Sequence, residues 1–270
     1  MRTGERYYRG PDLVLSLFGF ASIDTNECVT LEGPNEAQSA GDSNARFAQT
    51  RWSVVITARD HESPQAQAAL ARLCEIYWYP IYAFLRRKGH STHEAEDLTQ
   101  GFFAHVLQRE WLRNVGPEKG RFRTFVLRCL TNFVLNQPRT APTVSIDFSD
   151  AEERYIAEPV HTVTPERLFE LRWAASLLER AAACLKAEAQ AAGNLERFEL
   201  LLLYVSRETA PGTFMEVASR LGISEPAARQ EVSRLRKRYR DAIRSEISET
   251  VASSRDVDAE LDHLLRVLTG

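Results

Sequence analysis

From about residue 46 onward, hydrophobic residues recur every three or four positions, the spacing of one helix face, and no alternating run is long enough to build a sheet. Leu70, Leu73, Cys74, Tyr77, Ile81, Phe84 and Leu85 predict a first helix over about 65–88. Pro80 lies inside it and calls for a kink or local break. Gly89 ends that helix, and Ser91 with Glu94 three positions on forms the capping box of the next. Ala95, Leu98, Phe102 and Val106 are its inward stripe. A third helix, about 121–137, turns Phe122, Val126, Cys129, Leu130 and Phe133 inward and stops at Pro138. After a segment rich in prolines and acids, with one short helix near 150–155, Thr164-Pro165-Glu166 opens a long helix. Cap, first-turn proline and an acid at the positive end of the dipole come together there. It runs to about Ala191, with Gly193 as its stop, and "LERFELLLLYVS" then reads as a helix buried on most sides. Val257, Leu261, Leu264, Leu265 and Leu268 predict a last helix.

The stretch "MEVASRLGISEPAARQEVSRLRKRYR", Met215 to Arg240, has a more particular pattern. Thr213 and Glu216 form a second capping box, and Phe214, Val217, Ala218 and Leu221 form a short apolar stripe. Gly222 makes the turn, Ser224 caps the second helix, and Pro226 sits in its first turn. Ala228, Val232, Leu235 and Tyr239 face inward, while small Ala218 lets the two helices cross closely. Arg229, Gln230, Ser233, Arg234, Arg236, Lys237 and Arg240 lie off the apolar stripe, with Glu225 and Glu231 the only acids between Glu225 and Arg240. This is the layout of a helix-turn-helix, whose second helix reads base edges early and holds phosphates later. A basic face on a merely structural hairpin is the alternative.

The predicted fold class is all-α, two small helical domains joined by a flexible linker, the second carrying the helix-turn-helix. With 270 residues there is room for two cores, and a formal charge of −3 confines any nucleic-acid surface to a local patch. Residues 1–45 read as a disordered extension or a mis-assigned start, 46–137 as the first domain, 138–164 as the linker, 165–250 as the second domain and 251–270 as a helical tail. "LVLSLFGFASI" follows three arginines as a secretory leader would, but no clean cleavage site follows, and no run reaches the ~20 apolar residues of a membrane span. Cys28, Cys74, Cys129 and Cys184 are far apart, which fits a reduced, cytoplasmic protein. His90, His93 and Glu94 straddle a helix start and do not form a metal set; no catalytic constellation or phosphate-cradling loop is present, so neither enzyme activity nor a cofactor is expected.

"YWYPIYAFLRRKGHSTHEAEDLTQGFFAHVL", followed by "GRFRTFVLRCLTNFVLN" and then by the helix-turn-helix, resembles bacterial RNA polymerase sigma factors of the extracytoplasmic-function (ECF) group over about residues 46–250. The first segment is specific; the helix-turn-helix alone is not. The resemblance implies that Asp97 and Gln100 grip the clamp helices of the largest subunit of core RNA polymerase; Glu94 shares their face and suits a basic partner, and Phe103 is a further candidate contact. Of Phe102 and Phe103, only one is expected to face fully inward; the other either faces the partner or makes a second core contact. The resemblance also implies that Lys119, Arg121, Arg123, Arg128 and Asn132 meet the downstream promoter element. Arg229 to Arg240 would meet the upstream one. An anti-sigma regulator is a further expected partner. One departure stands out: the family's basic extension after the third helix is cut short at "NQPRTAPT", which implies weakened promoter opening. Two rivals to a sigma factor therefore stand: a polymerase-binding protein without promoter recognition, and a dimeric helix-turn-helix repressor acting on a palindrome.

Overall fold

The computed structural model describes residues 64–106, 121–136, 146–156, 163–205, 214–251 and 255–269. Residues 1–45, Lys119, Thr213 and the ends of the expected linker lie outside these. Among the described residues the elements are α1 (Pro64–Arg87), α2 (Thr92–Val106), α3 (Phe122–Asn136), α4 (Ala151–Ile156), α5 (Pro165–Ala191), α6 (Leu195–Leu202), α7 (Phe214–Leu221), α8 (Glu225–Ser248) and α9 (Arg255–Thr269). The protein is all-α, as the periodicity predicts.

The local signals place the helix ends. Ser91 and Glu94 bond reciprocally, with the Ser91 N–H and hydroxyl on Glu94 Oε2 at 2.8 and 2.7 Å. Thr164 and Ser224 accept from Arg167 N and Ala227 N and so cap α5 and α8. Pro80, by contrast, does not break α1, which runs unbroken from Pro64 to Arg87. Its neighbours Tyr77, Tyr79, Tyr82 and Phe84 are all buried. That packing holds the helix through the one backbone hydrogen bond a proline cannot make.

The helices expected in separate domains share one hydrophobic core. The most extensive pairing joins α1 to α5. Tyr77 of α1 is the hub: its ring meets Phe122 of α3 edge-on at 4.9 Å and Phe169 of α5 at 6.3 Å. Part of the expected linker is docked as well. Glu152 of α4 accepts from the Tyr82 hydroxyl at 2.6 Å and from Arg86 at 2.9 and 2.7 Å, and Phe148 packs against Trp78. The reason is aromatic: α1 carries more large rings than α2 and α3 alone cover, and α4 and α5 supply the rest.

Candidate nucleic-acid and partner interface

The hairpin of α7 and α8 is built by its turn. Gly222 takes φ +65°, a conformation in which a side chain is strained. Its N–H bonds Ser219 O and the next N–H, of Ile223, bonds Ala218 O at 2.9 Å. This paired closure satisfies the last carbonyls of α7 and turns the chain into α8. Ala228, Val232, Leu235 and Tyr239 are buried as predicted, and the Tyr239 hydroxyl donates to Leu178 O at 2.6 Å, fastening α8 to α5.

The seven polar residues expected on the outer face divide into two sets. Gln230, Ser233, Arg234 and Lys237 are exposed and spaced i, i+3, i+4, i+7, a single stripe along α8. Arg229 is exposed but bound to Glu225 at 2.6 Å and lies over the Phe214 ring. Arg236 is a correction to the expected face. Its Nε and Nη2 donate to Val205 O and Tyr204 O at 3.0 and 2.9 Å. It closes over the end of the short α6 segment by donating to two carbonyls there. Arg240 is half-buried. Glu231 pairs with Arg197 of α6 and so supports the hairpin from below.

On α2, Glu94 and Asp97 are exposed and Gln100 half-buried, at successive spacings of three. The two hydrogen bonds from Ser91 hold the Glu94 carboxyl below the usual carboxylate range. Phe103 corrects the expectation of a partner-facing ring. It is 1% exposed, against 0% for Phe102, and the two rings meet edge-on at 5.7 Å. Both fit inside because α3 covers this side of α2 as well, with the Phe133 ring meeting Phe102 edge-on at 5.7 Å.

On α3, Arg128 and Asn132 are exposed, on one side with Thr124. Arg123 is not. It is 6% exposed and donates to Glu260 Oε1 of α9 at 2.9 Å and to Glu170 of α5 at 2.7 Å, with its guanidinium over the Trp173 ring. Arg121 reaches the same Glu260 at 3.2 Å. As placed, Arg123 is closed to DNA, while Arg121 is partly exposed but drawn onto Glu260. His263 pairs with Glu170 at 3.2 Å, and these neighbours hold the Glu170 carboxyl below its ordinary range, His263 foremost. The start of α3 is also bridged to the chain after α8: Arg121 and Val251 form an isolated antiparallel pair, and the Phe122 N–H donates to Thr250 O at 3.0 Å. Nothing in the sequence signals this attachment, because its partners are more than a hundred residues apart.

Among the described residues no group of His, Cys, Asp and Glu could hold a metal, and no helix is long and apolar enough to cross a membrane. Burial pushes the Cys74 thiol up to about 12, so it is an inert core group.

Residues 77–141, spanning the C-terminal part of α1 with α2 and α3, match the family model of sigma-70 region 2. The chain resembles that family over this segment. It is also 26% identical over 174 residues to the ECF RNA polymerase sigma factor SigE of Mycolicibacterium smegmatis, covering 64% of this chain. The chain covers 61% of that relative's length. No solved structure matches. The resemblance to the ECF group is thus borne out. Within the matched segment, α2 places Asp97 at the surface with Gln100 half-buried beside it, and α3 leaves Arg128 and Asn132 exposed.

Proposed function

We propose that this chain is a sigma-type transcription initiation factor. It binds core RNA polymerase through the α2 face of region 2 and directs it to promoters through α3 and the stripe on α8. The observation that carries this is the match of α1–α3 to sigma-70 region 2 in a chain whose later helices form a capped helix-turn-helix with one exposed polar and basic stripe. Asp97 and Gln100 are the expected contacts to the clamp helices, where an acidic face suits a basic partner and steers docking. Gln230 and Ser233 are positioned for base edges, Arg234 and Lys237 for phosphates. Such a protein performs no chemistry of its own and works in the cytoplasm with the polymerase. An anti-sigma regulator, if it exists, would compete with polymerase for the α2 face.

Run-off transcription with core polymerase on a library of promoter fragments tests this, with Asp97→Ala/Gln100→Ala as control. Specific transcripts that the double variant loses are expected. Tight binding to a palindrome without polymerase, and no transcripts, would overturn it in favour of a dimeric repressor. A second reading has its own support: Arg121 and Arg123 are tied to Glu260, as in a polymerase-binding protein that no longer opens promoters. It predicts co-purification with core polymerase and no specific transcripts.

A further inference from the structure

We infer that α9 is an internal latch: Glu260 occupies Arg121 and Arg123 in the free chain and yields them to nucleic acid when α9 is displaced. The inference rests on the sigma reading above. Three observations carry it. Glu260 is 1% exposed, and both its oxygens are engaged by the two arginines at the start of α3. The contact is a carboxylate fork on guanidinium, the geometry in which a phosphate also binds arginine, so a polyanion can replace it in kind. And the same surface is closed by backbone, through the Arg121–Val251 bridge, so that release of Val251 with α9 uncovers Arg121 and leaves Arg123 on Glu170.

A buried ion pair is weak evidence for stability, because well-packed apolar groups of the same size serve the fold as well. Here the charges are tied to α9, whose other polar fastenings include one exposed pair and two partly buried contacts, the second of them His263 on Glu170. Arg244 meets Asp258 at 2.6 Å with both side chains about half exposed or more, and Arg167 donates to Val267 O at 2.8 Å. The apolar residues of α9 that pack inward are Val257, Leu264, Val267 and Leu268. The latch thus combines a modest apolar seam with one acid that competes directly for two arginines of region 2.

The test uses the full chain in three forms: wild type, Glu260→Gln, and Arg123→Gln/Glu260→Gln. The probe is a mixed-sequence single-stranded DNA about 16 nucleotides long. Glu260→Gln is expected to bind it at least about tenfold more tightly than wild type, the factor expected if the open form is about a tenth of the population or less. Its log–log salt slope is expected to steepen by ~0.7 per phosphate contact regained. The double variant, which restores a neutral pair but lacks the arginine, is expected to lose most of the gain. Equal binding by wild type and Glu260→Gln, or an equal gain in the double variant, overturns the latch.

A measurement on the unmodified chain guards against misfolding of the variants. Arginine modification by phenylglyoxal, read by mass spectrometry, is expected to be slow at Arg123 in the free chain and fast in its complex with core polymerase. Arg123 reacting as fast as exposed Arg234 in the free chain, or staying protected in the complex, overturns the latch. If the chain fails to bind core polymerase while Glu260→Gln still gains DNA affinity, the sigma reading fails and the latch stands. If polymerase binds but no gain appears, the latch alone fails.

Discussion

Arg236 and Lys237 are neighbours on α8 with opposite fates, one turned onto the end of α6 and the other onto solvent. Their truncations separate folding from binding. Arg236→Ala removes the donors to Tyr204 O and Val205 O and is expected to cost about 1.5–3 kcal/mol in denaturant unfolding, the worth of charge-assisted hydrogen bonds. Lys237→Ala is expected to leave stability within about 0.5 kcal/mol and to flatten the log–log salt slope of duplex DNA binding by ~0.9. Gly222→Ala meets no steric neighbour, so its cost is that of the positive φ alone, about 1–2 kcal/mol by thermal unfolding. Glu170 has a folded-state pKa below its ordinary value, chiefly because of His263. Its contribution is therefore present above the unfolded-state pKa and is lost as pH falls through the folded one. Acid titration of stability is expected to fall less steeply for Glu170→Gln than for wild type below about pH 4.5.

Helices announced themselves through neighbours within one or two turns. Ser91, Thr164 and Ser224 are caps in the sequence and in the structure because the hydrogen bond that makes a cap spans three residues. Thr164→Ala is accordingly expected to cost about 1 kcal/mol, measured as a shift in the unfolding midpoint. The inward residues of α3 and α8 were legible for the same reason, through period 3.6. What was not legible is what each helix meets. Arg123 reads from its neighbours as a cation for DNA, and only Glu260, on another helix, makes it a buried one. Phe103 reads as one ring too many for a single stripe, until Phe133 shows that α2 is covered on two sides. Arg236 is outward by periodicity, but α6 ends beneath it. Each departure is a long-range contact, and a single sequence carries no local trace of those.

With α1, α3, α5 and α9 meeting around Tyr77, Trp173 and Arg123, the described residues form one core rather than two. Trp173 is fully buried on α5, beside Arg123 and the His263 ring. Trp173→Ala is expected to cost about 3–5 kcal/mol. It should lower the unfolding of region 2 and of the helix-turn-helix together, so that probes on α2 and α8 report one transition. Two transitions, with only one of them shifted, would show that the halves are energetically separate. The closing contact also has a consequence in time. Arg121 pairs with Val251, and Arg123 with Glu260, so α3 is made well before the residues that secure its start. At ~5–20 residues per second, a ribosome needs roughly ten seconds to supply them. During that interval each newborn chain carries Arg121 and Arg123 without the acid that pairs with them, which is made well over a hundred residues later.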